Sequence, residues 1–316
     1  MRFNLSVIIP TFNVARFIEK AILSALDQHE VFEVIVVDDG STDATLYLVS
    51  QLQKIDNRIK LFQHTNGVNK GRSATRNLGI QKSSGAYIAF LDADDYYLPN
   101  RFANDFIIFE TNSNCDGVYN AVGYHFYREA TALELETDQL YTVRQKVAPK
   151  DLFKNLLYGK YGHFHINGLT IKKCVLEVTG LFNESLVVAE DTDLFWKMAI
   201  KCNLVTGIIN KAVAIRGVHD SNIFDNTALY KIYNIKMHEA VAIWCSKNQV
   251  SNVIIDDVLK WIWMLKYQQK NKLYQDITAW GKFFFLQPQL LFTIYSIKYF
   301  PIIRYRQMLF PFLYRR

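Results

Sequence analysis

The chain has 316 residues, half of them hydrophobic, enough for one large domain or a domain with a smaller addition and incompatible with global disorder. Its formal charge of +6 is carried by the tail: no Asp or Glu follows Asp276, whereas Lys282, Lys298, Arg304, Arg306, Arg315 and Arg316 lie beyond Gly281. The remainder is close to neutral, so no basic stripe supports nucleic-acid binding.

Leu5 to Pro10 is a β-rich run stopped by proline, too short for the apolar core of a signal peptide. Phe17, Ile18, Ala21, Ile22 and Ala25 then recur at helical spacing. Val34 to Val37 reads as a second buried strand, closed by Asp38-Asp39-Gly40, with Ser41 or Thr42 positioned to cap a helix carrying Leu46, Val49 and Leu52. A third strand spans 59–63, a helix about 73–82, and a fourth strand runs from Tyr87 into Asp92. Four strand–helix alternations predict an α/β fold with a mostly parallel sheet, whose ligands bind beyond the carboxyl ends of the strands. Thr11, Asp38, Asp39, Asp92 and Asp94 all fall at that edge.

Leu98-Pro99 reads as the start of the next helix. Further strands are expected at 118–126, 168–171 and within 204–215, and helices at 151–157 and 191–202. From Asn226 the chain reads as helical, with Ile255, Val258, Leu259, Ile262 and Leu265 on one stripe and Leu229, Ile232, Lys236, Ala240 and Trp244 on a weaker one. Cys115, Cys174, Cys202 and Cys245 form no Cys-x-x-Cys pair, which argues for reduced thiols in the cytoplasm and against a zinc ribbon.

The chemistry concentrates in Phe90-Leu91-Asp92-Ala93-Asp94-Asp95, where an apolar run ends in three acids within four residues. Carboxylates so close repel unless a cation sits among them, and Mg²⁺ binds through one or two carboxylates together with substrate phosphates. A solvated turn would use the same residues. Asp38-Asp39-Gly40 is a turn signal, yet a carboxylate there could accept the N3–H of a uracil ring. Lys70, Arg72 and Arg76 bring positive charge to a helix start, where phosphates are attracted. Glu190 and Asp191 open a helix; the macrodipole favours acids there, and a carboxylate on a rigid helix start also suits a general base. His163 and His165 form a His-x-His pair with no third ligand nearby in sequence, and are read as non-metal residues.

Taken in order, Ser6 to Asn13, Val36 to Asp43, Gly71 to Gly79 and Phe90 to Asp95 resemble family 2 glycosyltransferases of the GT-A fold, and Gly180 to Glu184 followed by Glu190-Asp191 is similar to that family's acceptor-side segment. The resemblance covers about residues 4–220. It implies a GT-A catalytic domain at 1–222, with a nucleotide-sugar half at 1–95 and an acceptor half at 96–222, before a helical region at 223–316. It implies inverting sugar transfer from a nucleotide-diphosphate donor, a UDP-sugar, to a glycan or lipid-linked glycan hydroxyl in surface polysaccharide synthesis, with Mn²⁺ or Mg²⁺. Thr11, Asn13, Asp39, Arg76 and Asp92 would bind the nucleotide sugar, Asp94 and His219 the metal, Glu190 the acceptor, and Asp191 would be the base. Arg216 to Ser221 resembles the family's late Arg-x-x-His segment loosely, and Leu181 stands where a second glycine is common.

A sugar nucleotidyltransferase is the nearest rival, but it would need a Gly-rich basic N-terminal loop, and Pro10-Thr11-Phe12-Asn13 is not one. A non-catalytic nucleotide-sugar-binding adaptor is another. The acid-free tail interleaves aromatics with cations, which suits an anionic leaflet and predicts a peripheral protein at the inner face of the cell membrane. Packing as a helical cap or a dimer contact would use the same composition.

Overall fold

The β-branched runs at the start of the chain are buried on both faces, as interior strands of a parallel sheet must be: Val7, Ile8, Ile9 and Val34 to Val37 have no exposed surface. The computed structural model describes residues 3–136, 139–220, 226–269 and 271–313. Its first half runs β1 (Leu5–Thr11), α1 (Ile18–Leu26), β2 (Val31–Asp38), α2 (Thr45–Ile55), β3 (Ile59–Gln63), α3 (Arg72–Lys82), β4 (Tyr87–Phe90), β5 (Tyr96–Tyr97) and α4 (Ala103–Thr111). There follow β6 (Gly117–Tyr119), β7 (Val122–Phe126), α5 (Ala132–Glu136), α6 (Pro149–Tyr158), β8 (Leu169–Lys172), α7 (Val175–Thr179), α8 (Glu190–Lys201), β9 (Leu204–Thr206) and β10 (Ala214–Val218). The remaining helices are α9 (Thr227–Lys247), α10 (Asn252–Gln268), α11 (Leu273–Phe285), α12 (Pro288–Leu291), α13 (Ile294–Lys298), α14 (Pro301–Arg304) and α15 (Arg306–Leu309).

The chain divides into two compact units, Met1–Asp225 and Asn226–Arg316. In the first, a seven-stranded sheet has the order β3-β2-β1-β4-β8-β6-β9. β3, β2, β1 and β4 are mutually parallel, whereas β8 runs antiparallel to both β4 and β6. Helices flank this mostly parallel sheet, the expected α/β architecture. A small second sheet, β5-β10-β7, stands beside the carboxyl end of β4.

Several local expectations are corrected. The apolar run 118–126 is two strands in different sheets, broken at Asn120. The fully buried Asn120 amide donates to Asp105 and to the Gly168 carbonyl and accepts the Ile208 N–H at 2.7 Å, bonds that a continuous ladder could not give. Leu98-Pro99 does not start a helix: the Leu98 N–H extends the strand pairing to the Val213 carbonyl, Asn100 is left-handed (φ 61°), and α4 begins at Ala103. Neither Ser41 nor Thr42 caps α2: Ala44 holds the N-cap position without a side-chain cap, and Asp43 before it accepts the Thr45 N–H at 2.9 Å. On α9 the buried face is Met237, His238, Val241, Ala242 and Cys245, not the stripe through Ile232, which is exposed.

Behind the acidic loop lies a buried polar network. Arg101, without exposed side-chain surface, pairs with Asp105 at 2.7 Å and donates to the Asn167 carbonyl and to Thr170. This holds the turn before β8 and with it the Asn167 side chain.

The second unit is all helical in its described residues, and none of the described helices is long and apolar enough to cross a membrane. The α10 stripe is buried at Ile255, Val258, Leu259 and Ile262. His238 is buried and its Nδ1–H donates to the Asn234 carbonyl, so burial holds the imidazole pKa down at about 4. An unfolded histidine titrates near 6.5, so between these values only the unfolded chain takes up the proton, and stability is lost as pH falls from about 6.5 towards 4. Across that window His238→Gln should lose about 3 kcal/mol less unfolding free energy than the parent, read from urea denaturation at stepped pH.

Candidate active site

At the carboxyl ends of β1, β2 and β4 the chain opens into a cavity of about 600 Å³. Thr11, Asn13, Asp39, Asp92, Asp94 and His219 all line it. Residues predicted from four separate stretches therefore meet at one place.

Each wall is fixed by hydrogen bonds from a different element. The Asp39 N–H continues the sheet by donating to the Thr11 carbonyl, and its buried carboxylate accepts the backbone N–H groups of Lys70 and Gly71 at 2.7 and 2.9 Å. Beside it Gly40 is left-handed (φ 83°), and a Cβ there would meet the Gly67 carbonyl oxygen at 2.6 Å, so only glycine lets the two loops close on the Asp39 carboxylate. Asn13, itself left-handed (φ 52°), accepts the Thr42 N–H and donates its own N–H to Ser41, binding the end of β1 to the loop after β2.

The acidic loop is held from three sides. The Asp92 N–H donates to Asn167. Asp95 is buried; its carboxylate accepts from the Asn167 amide and, at 2.7 Å, from the Gly217 N–H. Gly217 also permits close approach, since a Cβ would meet the Asp94 carbonyl oxygen at 2.4 Å. Asp94 lies 2.9 Å from His219 Nε2, and the imidazole stacks on Phe17.

Arg76 is not among the residues lining the cavity, and its side chain is 1% exposed. It lies instead between Asp92, at 2.5 Å, and Glu190, at 2.9 Å. Arg72, which does line the cavity, adds a second contact to Glu190 at 3.2 Å. Asn77, one turn on, exchanges two hydrogen bonds with the Phe182 backbone and donates to Glu184. The helix α3 thus fastens 182–190 to the acidic loop.

Asp191 follows at the start of α8, after Ala189, whose left-handed backbone (φ 63°) is uncommon for a residue with a Cβ. Neither Asp191 nor Glu190 is part of the cavity lining, although Val187, three residues earlier, is. The half-buried Asp191 accepts the Thr192 N–H at 2.7 Å. Its charge is also felt by His163, which burial holds below the ordinary imidazole pKa while Asp191 opposes the shift. Ser221 lies outside the described residues.

The three acids are shifted in opposite directions. Burial would raise the Asp92 pKa, but Arg76 and Arg72 outweigh it and hold the carboxyl far below its usual range. Asp94 is raised by burial and by Asp92, with His219 opposing, and Asp95 is raised well above normal by burial and by both neighbours. Glu190 is also raised, by burial first, against the pull of Arg72. A cluster whose outer acids resist ionisation in this way favours a divalent cation.

Two donor sets fit one. Asp94 and His219 offer atoms 2.9 Å apart at the cavity wall, which is the ~3 Å edge between neighbouring ligands of an octahedral ion bound at about 2.1 Å. Asp92, Asp95 and His165 bring ligand atoms within 4.8 Å of one another. His165 thus has acidic neighbours that its sequence position does not show. Burial, and then Arg216, push its pKa down to about 4, leaving a neutral ring able to ligate.

A cavity at the carboxyl ends of the strands of a mostly parallel sheet, with acids at its wall, is the binding arrangement of an open α/β fold. The family model described as glycosyl transferase family 2 matches residues 6–147. The uncharacterized glycosyltransferase RT0329 of Rickettsia typhi is 30% identical over 243 residues, covering 76% of this chain and 70% of that one. The chain belongs to glycosyl transferase family 2. A putative teichuronic acid biosynthesis glycosyltransferase, TuaG of Bacillus subtilis, is 32% identical over 156 residues, 49% of this chain and 58% of TuaG. The matched segments span only 16% to 36% of the length of the first four curated relatives. Among solved structures, S. aureus TarS 1-349 in complex with UDP-GlcNAc superposes with a TM-score of 0.67 at 19% identity, covering 96% of this chain and 92% of that one, which shows the shared GT-A fold.

Replacing Arg76 by Met should leave part-exposed Asp92 without its ion-pair partner and buried Glu190 with Arg72 alone. The expected loss is roughly 3–5 kcal/mol of unfolding free energy in urea titration, against well under half of that for Arg72→Met on the half-exposed neighbour.

Proposed function

We propose that this protein transfers a sugar, with inversion, from a UDP-sugar to a hydroxyl of a glycan or lipid-linked glycan in surface polysaccharide assembly, working at the inner face of the cell membrane. The observation carrying this reading is the meeting of Thr11, Asn13, Asp39, Asp92 and Asp94 around one cavity, with the helix bearing Glu190 and Asp191 strapped to it through Arg76. A nucleotide pocket, an acid pair for the diphosphate and a carboxylate on a helix start are what such a displacement needs.

In this reading the uracil ring lies against Asp39 and the ribose against Asp92. Asp94 and His219 hold Mn²⁺ or Mg²⁺, which when bound offsets charge on the diphosphate. The acceptor oxygen attacks the anomeric carbon as the bond to the diphosphate breaks, and the Asp191 carboxylate takes the hydroxyl proton. Glu190, kept in place by Arg76 and Arg72, orients the acceptor. The complex of TarS with UDP-GlcNAc supports a nucleotide-sugar donor, and the C. jejuni relative named GalNAc(5)-diNAcBac-PP-undecaprenol beta-1,3-glucosyltransferase, 45% identical over 96 residues (30% of this chain, 31% of that one), supports a lipid-linked acceptor.

Asp191→Asn should lower transfer from UDP-sugars by about 10²-fold or more while UDP affinity, measured by calorimetry, stays unchanged. Retained turnover would remove Asp191 as the base. Asp94→Asn should abolish the strengthening of UDP-sugar binding by Mn²⁺; identical metal dependence in variant and parent would remove Asp94 from the ligand set. Release of pyrophosphate rather than UDP would overturn sugar transfer itself.

A further inference from the structure

The end of the second unit has its aromatic residues arranged in two opposite senses. Those with a hydroxyl or an indole N–H turn inward and are satisfied: Tyr295 donates to the Asn252 carbonyl at 2.9 Å, Tyr299 to Asp256 at 2.8 Å, Tyr305 to Asp276 at 2.8 Å, and Trp280 to the Ser296 carbonyl at 3.0 Å. Phe284 and Leu290 are buried as well, but many of the side chains with no polar handle are exposed. Phe292 is 86% exposed, Ile294 72%, Phe312 70%, Phe285 and Leu286 67%, and Met308 66%. Eleven of the twenty-four exposed large hydrophobic side chains among the described residues fall between Phe285 and Leu313. Isolated exposed apolar side chains are ordinary, but a concentration of this kind marks a surface with something to cover it.

The backbone rules out one long amphipathic helix. α12, α13, α14 and α15 are of four or five residues each, broken by Pro288, Pro301 and the turns between them. The tyrosines tie these short helices to α10 and α11, and the side chains they leave exposed are largely apolar.

The charge decides what lies against it. No carboxylate follows Asp276, and Asp276 itself is 1% exposed and engaged by Tyr305. Lys282, Arg304 and Arg306 are exposed on the same segment, and Lys298 stays half-exposed while paired with Asp256. An exposed apolar segment that carries cations and no acid of its own beyond Asp276, with Asp256 of α10 already paired to Lys298, is complementary to a surface of hydrocarbon beneath anionic headgroups, whereas stacking against a second copy would set cation against cation.

We propose that residues 285–313 form an interfacial membrane contact specific for anionic lipid, with Phe292 and Ile294 entering the acyl boundary and Lys282 and Arg306 meeting phosphate headgroups. This deepens the reading of a lipid-linked acceptor by naming where the protein meets the lipid, and rests on it only for its purpose. The test is flotation of the full chain with phosphatidylcholine vesicles with and without phosphatidylglycerol. Binding should require phosphatidylglycerol, weaken with added salt, and fall roughly tenfold or more both in the Phe292→Asp, Ile294→Asp double variant and in the Lys282→Glu, Arg306→Glu double variant, each of unchanged thermal melting. All four positions are exposed, so the fold tolerates the changes. No flotation of the parent, equal binding to neutral vesicles, or a stable dimer in sedimentation velocity that the Asp variants dissociate would overturn the proposal. UDP binding by the same variants, expected to match the parent, keeps this outcome separate from the sugar-transfer reading.

Discussion

One buried guanidinium holds the first unit's chemistry together. Arg76 has almost no contact with solvent, and a lone cation so placed would be prohibitively costly. Its two carboxylate partners make it tolerable, and they belong to stretches nearly a hundred residues apart, Asp92 after β4 and Glu190 at the head of α8. The three charges are stable only when all are present. The acidic loop and the head of α8 are thereby tied to each other.

The same interaction sorts the acids. Arg76 and Arg72 keep Asp92 ionised, and the charge on Asp92 then raises Asp94 and Asp95. Three neighbouring carboxyls, which sequence alone leaves equivalent, become one fixed anion, one acid at the cavity wall shared with His219, and one buried acid that serves the loop's shape through Asn167 and Gly217. Opposed proton affinities within a few ångströms are a mark of sites that bind cations or move protons.

What was legible in the chain follows the range of the forces involved. β1 to β4 and α1 to α3 could be read because buried strands and amphipathic helices write their burial into local periodicity, and the acids at strand ends followed from that. The strand pairing of 118–126 could not, because the break at Asn120 depends on Asp105, Gly168 and Ile208, all remote in sequence. Arg76 looked like one of three surface cations at a helix start; only the arrival of Glu190 distinguishes it from Lys70. Arg101 carried no signal at all, since its partners Asn167 and Thr170 reach it through folding. His165 was set aside for want of neighbours that the fold supplies.

The Asn77 clasp has an implication for diversification. Because it grips Phe182 through the peptide N–H and C=O, the course of the strap from Gly180 to Leu186 is set by main-chain bonds rather than by most of its own side chains. Val187, half-exposed at the cavity rim between the buried Leu186 and Val188, can therefore be exchanged without the strap losing its path. Under the sugar-transfer reading proposed above, that rim position is where a lineage could retool its choice of recipient while the strap keeps its course.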